Sequence, residues 1–431
     1  MKSIAFYTLG CKVSQYETEA IAEKFESHGF EVKDFSDFCD VYVINTCTVT
    51  AEADRKSRQI IRRAKRQNKN AKVIVCGCYS QRSPEDVAAI EDVDAVIGSA
   101  NKLAIVDIAE RLLSSEEKIY DVTDIDTEPF EKMSITKGPR TRVYVKIEDG
   151  CECRCTYCAI PSARGHVRSK DRLDVIAEVE ALSKSGVKEI VLTGIETGSY
   201  GADFRENYRL KDLLCELDER KSAEQIRLGS LAPELVGKDF VEKIKNLKIL
   251  APHFHLSIQS GSDSVLRGMK RRYNRSIALE NIERIRENIE GATFTTDIMV
   301  GFPGESEEDF LDTVDFVKKA RFLDAHVFAY SKRKDTPAAT YKNQVPEDVK
   351  KRRSADLINI VKEVRTSVLS DILDSKAPLS CIFEEKRDGM WYGHCECFAE
   401  ILVESNEDLH GEKRTVVPVA LENDILISKL L

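Results

Sequence analysis

The chain has 431 residues, 42% hydrophobic and 32% charged, with a formal net charge of −9. That size and balance give two or three globular domains with room for a sizeable core, and exclude a disordered or collagen-like chain. No apolar run approaches the roughly 18 residues a membrane crossing needs, and the acidic balance leaves any RNA contact to local basic patches.

The opening MKSIAFYTLGC enters an alternating apolar strand and lacks a signal-peptide layout. Thirteen cysteines in such a chain imply a reducing, cytoplasmic compartment where thiols serve metals or chemistry. Residues 1–113 alternate short strand-like runs (Ser3–Tyr7, Asp40–Ile44, Lys72–Val75, Ala95–Ile97) with helical stretches near Ser14–His28, Ala51–Gln67 and Pro84–Ile90. This predicts an α/β domain built on a doubly wound parallel sheet, with ligand loops at the carboxyl ends of its strands. Cys11, Cys47 and Cys78 each follow one of the first three strands, so their loops should converge at one sheet edge. One such cysteine would ordinarily be core packing; three just past strand ends point to a ligand set. Cys76 falls within a strand and reads as core, and Cys39, Cys215 and Cys381 read as structural.

Residues 114–136 are polar, lack periodicity and read as a linker. Over 137–367 a second alternation places strands at Arg142–Ile147, Glu189–Thr193, Gln225–Gly229, Phe254–Ile258, Phe294–Met299 and Ala325–Phe328, with helices such as Asp171–Ser185 and Glu307–Ala320 between them. Six such units predict a partial (β/α)6 barrel with its chemistry on the loops after the strands. Directly after the first strand comes CECRCTYC, Cys151 to Cys158, which contains a C-x3-C-x2-C spacing. Three soft thiolates on one loop suit an iron–sulfur cubane, and three ligands leave one iron open to bind something else. A structural zinc is the competing reading, although no second knuckle follows; Cys153 as a fourth ligand would need a very tight wrap. A charged helix near Pro346–Asp374 leads to a small all-β tail, 370–431, with strand-like runs at Leu379–Phe383, Ala399–Val403 and Thr415–Pro418.

Several longer stretches stand in order along the chain: TLGCKVSQYETE (8–19), NTCTVT (45–50), GCYSQ (77–81), DGCECRCTYCAIPSARG (149–165), LTGIETGSYG (192–201), HLSIQSGSDSVLRGMKRRY (255–273) and TDIMVGFPGESEEDF (296–310). With them the chain resembles the methylthiotransferases, a family of radical S-adenosylmethionine enzymes. Its tail is similar to the small TRAM β-barrel through FEEKRDGMWYGH (383–394). LGCKVSQYE and NTCTVT look like the branch that modifies N6-threonylcarbamoyladenosine in tRNA. The isopentenyladenosine branch would read nearer GCQMN, and the branch acting on a ribosomal-protein aspartate nearer LGCxKN.

The resemblance implies two [4Fe-4S] clusters. Cys151, Cys155 and Cys158 would hold the one that binds S-adenosylmethionine, and Cys11, Cys47 and Cys78 an auxiliary one that handles sulfur. Adenine C2 carries an unactivated C–H that base catalysis cannot open, which is why radical chemistry is required; a second S-adenosylmethionine would supply the methyl group. By the same resemblance Tyr157 lies near the adenine of S-adenosylmethionine, and Gly194 and Glu196 near its methionine ammonium. Ser257 and Gln259 would contact ribose or substrate, while Asp297 and Gly301 belong to the fifth strand and its turn. His253, His255 and His326 read as packing residues. The implied partners are a tRNA anticodon stem-loop and a flavodoxin- or ferredoxin-type electron donor; no membrane is involved and the default is a monomer.

Three basic runs offer an RNA track: Arg55–Arg66 with Arg62, Arg63 and Arg66, Arg267–Arg275 with Arg271 and Arg272 around Tyr273, and Arg164–Arg172. Tyr273 among cations suits stacking of an unpaired base. The tail is acidic, with six Lys/Arg against eleven Asp/Glu over 375–431, so it is expected to contribute shape rather than bulk charge. The Cys395/Cys397 pair has no evident role in the sequence. A different class of reading is a non-catalytic, metal-stabilised RNA-binding protein.

Overall fold

The computed structural model describes residues 2–138 and 141–431. Its N-terminal strands are β1 (Ser3–Thr8), β2 (Glu31–Lys33), β3 (Val41–Thr46), β4 (Lys72–Gly77), β5 (Ala95–Ile97) and β6 (Ile119–Asp121). They form one parallel sheet in the order β2-β1-β3-β4-β5-β6. Alternation along β3 explains the double winding. Val41 and Val43 pack with Ile21, Phe25 and Ile105 on one face, and Tyr42 and Ile44 with Ile61 and Ala64 on the other. The covering helices are α1 (Lys12–Ser27), α2 (Ala51–Gln67), the short α3 (Cys78–Arg82) and α4 (Pro84–Ala88), and α5 (Ile105–Ser114).

Two strands of this sheet are absent from the sequence reading. β2 and β6 are short and only partly buried, so they carry no apolar run to announce them. β6 falls in the stretch read as a linker, and Met133 and Ile135 of that stretch are buried in the core of the next domain. The connector is therefore anchored at these points, while most of its residues stay exposed.

The central domain contains β7 (Arg142–Lys146), a small antiparallel pair β8 (Glu148–Asp149) and β9 (Arg168–Ser169), then β10 (Glu189–Thr193), β11 (Ile226–Leu228), β12 (Ser230–Leu231), β13 (His253–Gln259), β14 (Thr293–Val300) and β15 (Asp324–Ala329). β11-β10-β7 and β12-β13-β14-β15 are parallel sheets, joined where the chain steps from β11 to β12. The result is six barrel positions, open between β7 and β15. Around it run α6 (Ile160–Arg164), α7 (Arg172–Lys184), α8 (Leu210–Arg220), α9 (Lys238–Ile244), α10 (Asp263–Gly268), α11 (Arg275–Asn288) and α12 (Glu307–Ala320). Val143, Val145, Ile190, Leu192, Phe254 and Phe294 turn outward into the helix-packed core. The alternate positions, among them Arg142, Glu189, Arg227, His255 and Asp297, therefore face inward. The inner face is polar.

The N-terminal domain covers the open seam. On the β7 side, Glu17 of α1 meets Lys146 Nζ at 2.9 Å. On the β15 side, Arg333 donates to Thr48 Oγ1 and Asp54 Oδ2, both at 2.7 Å.

α13 (Glu347–Ser375) leads to a closed five-stranded barrel of β16 (Leu379–Arg387), β17 (Met390–Cys395), β18 (Glu400–Val403), β19 (Lys413–Glu422) and β20 (Ile425–Leu430). The Cys395/Cys397 turn here acquires a role. It carries Phe398, in the left-handed region at φ +71°, beneath the central barrel. There the ring stacks on His253 at 4.5 Å between centroids and lies under the guanidinium groups of Arg227 (4.9 Å) and Arg142 (5.4 Å). Arg227 Nη1 also donates to Glu396 O at 2.9 Å. Phe398→Ala is expected to cost about 2 kcal/mol, below the roughly 3–5 kcal/mol of a fully buried aromatic truncation because the ring is only partly buried. The midpoint of a denaturant titration checks it.

Candidate metal and cofactor site

Cys11 caps the N-terminus of α1, Cys47 lies in the loop between β3 and α2, and Cys78 opens α3 directly after β4. Because β1, β3 and β4 are neighbours, the three loops share one sheet edge. An added Cβ on Gly10 would stand 3.4 Å from Cys47 Cβ, which measures how closely the first two loops approach. Gly77, at φ +99°, sets the turn before Cys78; a Cβ there would lie 2.5 Å from Asn45 Oδ1 and 2.6 Å from Thr46 O. Burial and the neighbouring Cys78 push the Cys47 thiol up to about 12. The loops thus approach one another at one edge, as their places after neighbouring strands implied.

The Cys151–Cys158 loop follows β8. Gly150, at φ +88°, leads into it, and a Cβ at that position would lie 1.9 Å from His166 O. Its sulfurs accept hydrogen bonds: Cys151 from Cys153 N–H (3.5 Å), Cys158 from Ile160 N–H (3.4 Å) and Cys155 from Arg271 Nη1 (3.4 Å). Cys153 leans on Cys151, a contact that lowers its own thiol to about 6. Among the described residues no three His, Cys, Asp or Glu side chains are gathered tightly enough to hold a metal ion. Two trios of soft thiolates have the donor chemistry of iron–sulfur groups.

Beside this loop lies a cluster of buried polar atoms without partners: Glu148 Oε1, Thr197 Oγ1, Glu234 Oε2 and Arg271 Nε. Glu196 joins them, its backbone N–H on Glu148 Oε2 (2.9 Å) and its carboxylate accepting Ala232 N–H (2.8 Å). Burial pushes Glu196 up to about 8, and Glu148 well above the usual carboxylate range. Three acids short of a cation, next to a guanidinium edge short of an anion, fit a ligand with a free ammonium and a free carboxylate. The methionine moiety of S-adenosylmethionine is such a ligand.

A buried ion network joins the two cysteine sites. Arg164, at the end of α6, is 0% exposed. It bonds Glu17 (2.5 and 3.2 Å) and Asp149 (3.1 Å), and its Nε donates to Cys78 Sγ at 3.2 Å. Lys102 and Lys146 also hold Glu17, at 3.0 and 2.9 Å. Arg168 adds a longer contact to Asp149 at 3.9 Å, so four cations face two carboxylates beside a thiolate ligand. Sequence reasoning missed Glu17, Glu148, Arg164 and Glu234. The available signal for Glu17 was a carboxylate on the apolar stripe of α1, flanked by Val13, Tyr16, Ala20 and Ile21.

Other expected site residues fall as follows. Tyr157 is packed by its ring against Val265, Met269, Met299 and Phe302. Gly194 runs against Glu148, where a Cβ would meet Oε2 at 2.4 Å. Gly301 leaves room for the Lys350 stem, 2.3 Å from where its Cβ would be, rather than for a ligand. Ser257 Oγ pairs with Ser230 Oγ, and Gln259 takes φ +65° at a bulge in β13. Asp297 is inside the barrel between His255 Nε2 (3.3 Å) and His326 Nδ1 (3.5 Å), so these two histidines do more than pack. His253 is buried, with Nε2 on Thr295 Oγ1 at 2.9 Å.

The basic runs need correction. Tyr273 is 5% exposed, with its hydroxyl on the carbonyls of Ser257 and Ile258, so it offers no stacking face to RNA. Arg271 turns inward to Cys155 and to Ser257 O (2.8 Å), and the exposed Arg272 braces Glu152 O at 2.7 Å. In Arg164–Arg172, Arg164 and Lys170 are buried ion-pair members. Arg62, Arg63 and Arg66 keep the exposure an RNA track needs, and so do Lys56, Arg267 and Lys270 of these runs.

The pattern of the Radical SAM superfamily matches residues 145–317, and that of the Uncharacterized protein family UPF0004 matches residues 3–98. The chain is 39% identical to the threonylcarbamoyladenosine tRNA methylthiotransferase MtaB of Bacillus subtilis over 96% of its length and 92% of the relative's. It is 41% identical to the protein of that name from Aquifex aeolicus, over 84% of this chain and 87% of that one. A tRNA-2-methylthio-N(6)-dimethylallyladenosine synthase from Carboxydothermus hydrogenoformans is 34% identical over 83% of both chains. Among solved structures, the radical S-adenosylmethionine methyltransferase TsrM from Kitasatospora setae shares the fold with a TM-score of 0.57 at 15% identity, covering 79% of this chain and 77% of that one.

Proposed function

Because this chain belongs to the methylthiotransferases of the radical S-adenosylmethionine superfamily, we propose that it adds a methylthio group to C2 of N6-threonylcarbamoyladenosine beside the anticodon of tRNA. The observation that carries this reading is the pairing of two cysteine trios, one on the barrel's first loop and one on the N-terminal sheet edge, linked by Arg164. Bound at these trios, iron–sulfur clusters with S-adenosylmethionine would supply the one-electron chemistry that an unactivated C–H demands.

The protein's own groups do the rest. Glu148, Glu196 and Glu234 receive an ammonium, and Arg271 Nε receives a carboxylate. Arg271 and Arg164 each donate to one sulfur, on Cys155 and Cys78, which stabilises negative charge there. The polar inner face of the barrel holds the adenosine between the two trios, and the N-terminal domain closes the seam against water. The electron donor is a flavodoxin- or ferredoxin-type protein, the compartment is the cytoplasm, and the chain works as a monomer. Nucleoside mass analysis of tRNA from a deletion strain tests the assignment. Loss of the methylthio-threonylcarbamoyl species is expected; an intact pool refutes it.

Phosphate contact falls to α2, whose exposed Arg62, Arg63 and Arg66 follow the Cys47 loop in the chain. Replacing all three by alanine is expected to weaken tRNA binding about tenfold or more and to flatten the slope of log affinity against log salt by about 2 to 3. Filter binding across a salt series reads both.

A further inference from the structure

Cys395 and Cys397 take no part in the chemistry proposed above, yet their side chains meet. Their Sγ atoms are 3.2 Å apart, with Cys395 0% and Cys397 4% exposed. The pair spans a tight turn after β17, in which Phe398 N–H donates to Cys395 O at 2.9 Å and Cys395 N–H to Ala399 O at 3.0 Å. Phe398 closes that turn at φ +71°, a left-handed conformation that favours glycine and that a bulky aromatic adopts only under strain. Its contacts hold the strain in place. His253 and His394 stack on the ring, at 4.5 and 4.9 Å between centroids, and the guanidinium groups of Arg142 and Arg227 cover it. Two thiols in near contact thus directly precede a strained residue that forms the joint between the two barrels. Cys381, opposite Cys395 on β16, is a third buried thiol in the same core.

We propose that Cys395 and Cys397 form a reversible disulfide, a thiol-oxidation site that unseats Phe398 from beneath the central barrel. A sulfur–sulfur bond is about 2 Å long, so a small side-chain movement from 3.2 Å closes it. The oxidant is a low-molecular-weight disulfide. The thiolate of Cys397, the less buried of the two, attacks one of its sulfurs and releases one small thiol. Cys395 then attacks the mixed disulfide at Cys397 Sγ and releases the second. Two electrons pass from the cysteines to the small disulfide, and the two thiol protons end on the released thiols. The new bond ties residues 395 and 397 together and reshapes the backbone that holds Phe398. A bridge between cysteines two apart is strained and therefore easily reduced, which suits a switch rather than a staple.

The test uses anaerobic, iron-reconstituted full-length protein in glutathione buffers running from fully reduced to fully oxidised. Free thiols are trapped by alkylation, and the peptide carrying residues 395 and 397 is read by mass once its composition stops changing. Most of that peptide is expected to lose two hydrogens in the oxidised buffer and to regain them in the reduced one. Amide hydrogen exchange at Cys395 and Phe398 should quicken about tenfold or more in the oxidised protein. Cys397→Ser, with iron content equal to wild type, should exchange alike in both buffers. A pair that stays dithiol in the oxidised buffer, that stops at a glutathione adduct, or that bridges to Cys381 instead overturns the proposal. A Cys395–Cys397 disulfide that leaves amide exchange unchanged overturns the unseating of Phe398.

Discussion

Cys155→Ala is expected to abolish methylthiolation and formation of 5′-deoxyadenosine together, whereas Cys47→Ala should abolish methylthiolation and leave 5′-deoxyadenosine formation in place. The division follows from position. Cys155 is on the barrel loop with Arg271 donating to its sulfur, beside the partnerless acids suited to an ammonium. Cys47 belongs to the sheet edge across the seam, beside Cys11 and Cys78, and shares no loop with those acids. Each variant removes one ligand of three, so each should lose roughly half of the iron after anaerobic reconstitution. Chromatography of the nucleoside products and an iron assay read the outcome. Loss of 5′-deoxyadenosine formation in Cys47→Ala, or full iron in either variant, would show that the two trios do not act as separate sites.

What the sequence disclosed and what it hid separate along one physical line. The cysteines were legible because their spacing is local, as in Cys151–Cys158, or because each follows a strand that pattern alone reveals. The barrel strands were legible because Val143, Val145, Ile190 and Leu192 pack outward on helices and keep a strong apolar signal. Arg164 was not, since a basic run reads as a solvated face until its acid is found, and Glu17 is 147 residues away. Tyr273 misled for the same reason: the carbonyls of Ser257 and Ile258 that hold its hydroxyl lie on β13, 15 and 16 residues back, invisible to composition. β2 and β6 were hidden because edge strands can be held by backbone pairing with little apolar burial. The acidic tail, puzzling as an RNA clamp, becomes intelligible as packing. Its Phe398 turn plugs the lower end of the central barrel.

The buried network offers the second large effect, and its charge count decides which member matters most. Three cations, Arg164, Lys102 and Lys146, share Glu17, and Asp149 adds a second carboxylate. With Arg168 on Asp149 the cations number four, so Arg164→Met would leave three cations facing two carboxylates, closer to balance. Glu17→Gln would leave four cations facing one. Breaking a buried pair from the side that strands unmatched charge costs about 3–5 kcal/mol, so Glu17→Gln should reach that range and Arg164→Met should fall clearly below it. The double variant is expected to be more stable than Glu17→Gln alone, because it removes one of the stranded cations. Desolvation alone would raise the Glu17 carboxyl, but Arg164, Lys102 and Lys146 hold it well below its usual range. A depressed folded-state pKa means that this stabilisation is fully present above the unfolded carboxylate range, near pH 4, and is lost as pH falls toward the folded value. Glu17→Gln should accordingly flatten the acid limb of stability against pH. Denaturant titrations of the two single variants and the double variant between pH 3 and 7 test the ranking. An Arg164→Met protein less stable than Glu17→Gln would mean that the guanidinium's hydrogen bonds to Glu17, Asp149 and Cys78, rather than the balance of charge, hold the two domains together.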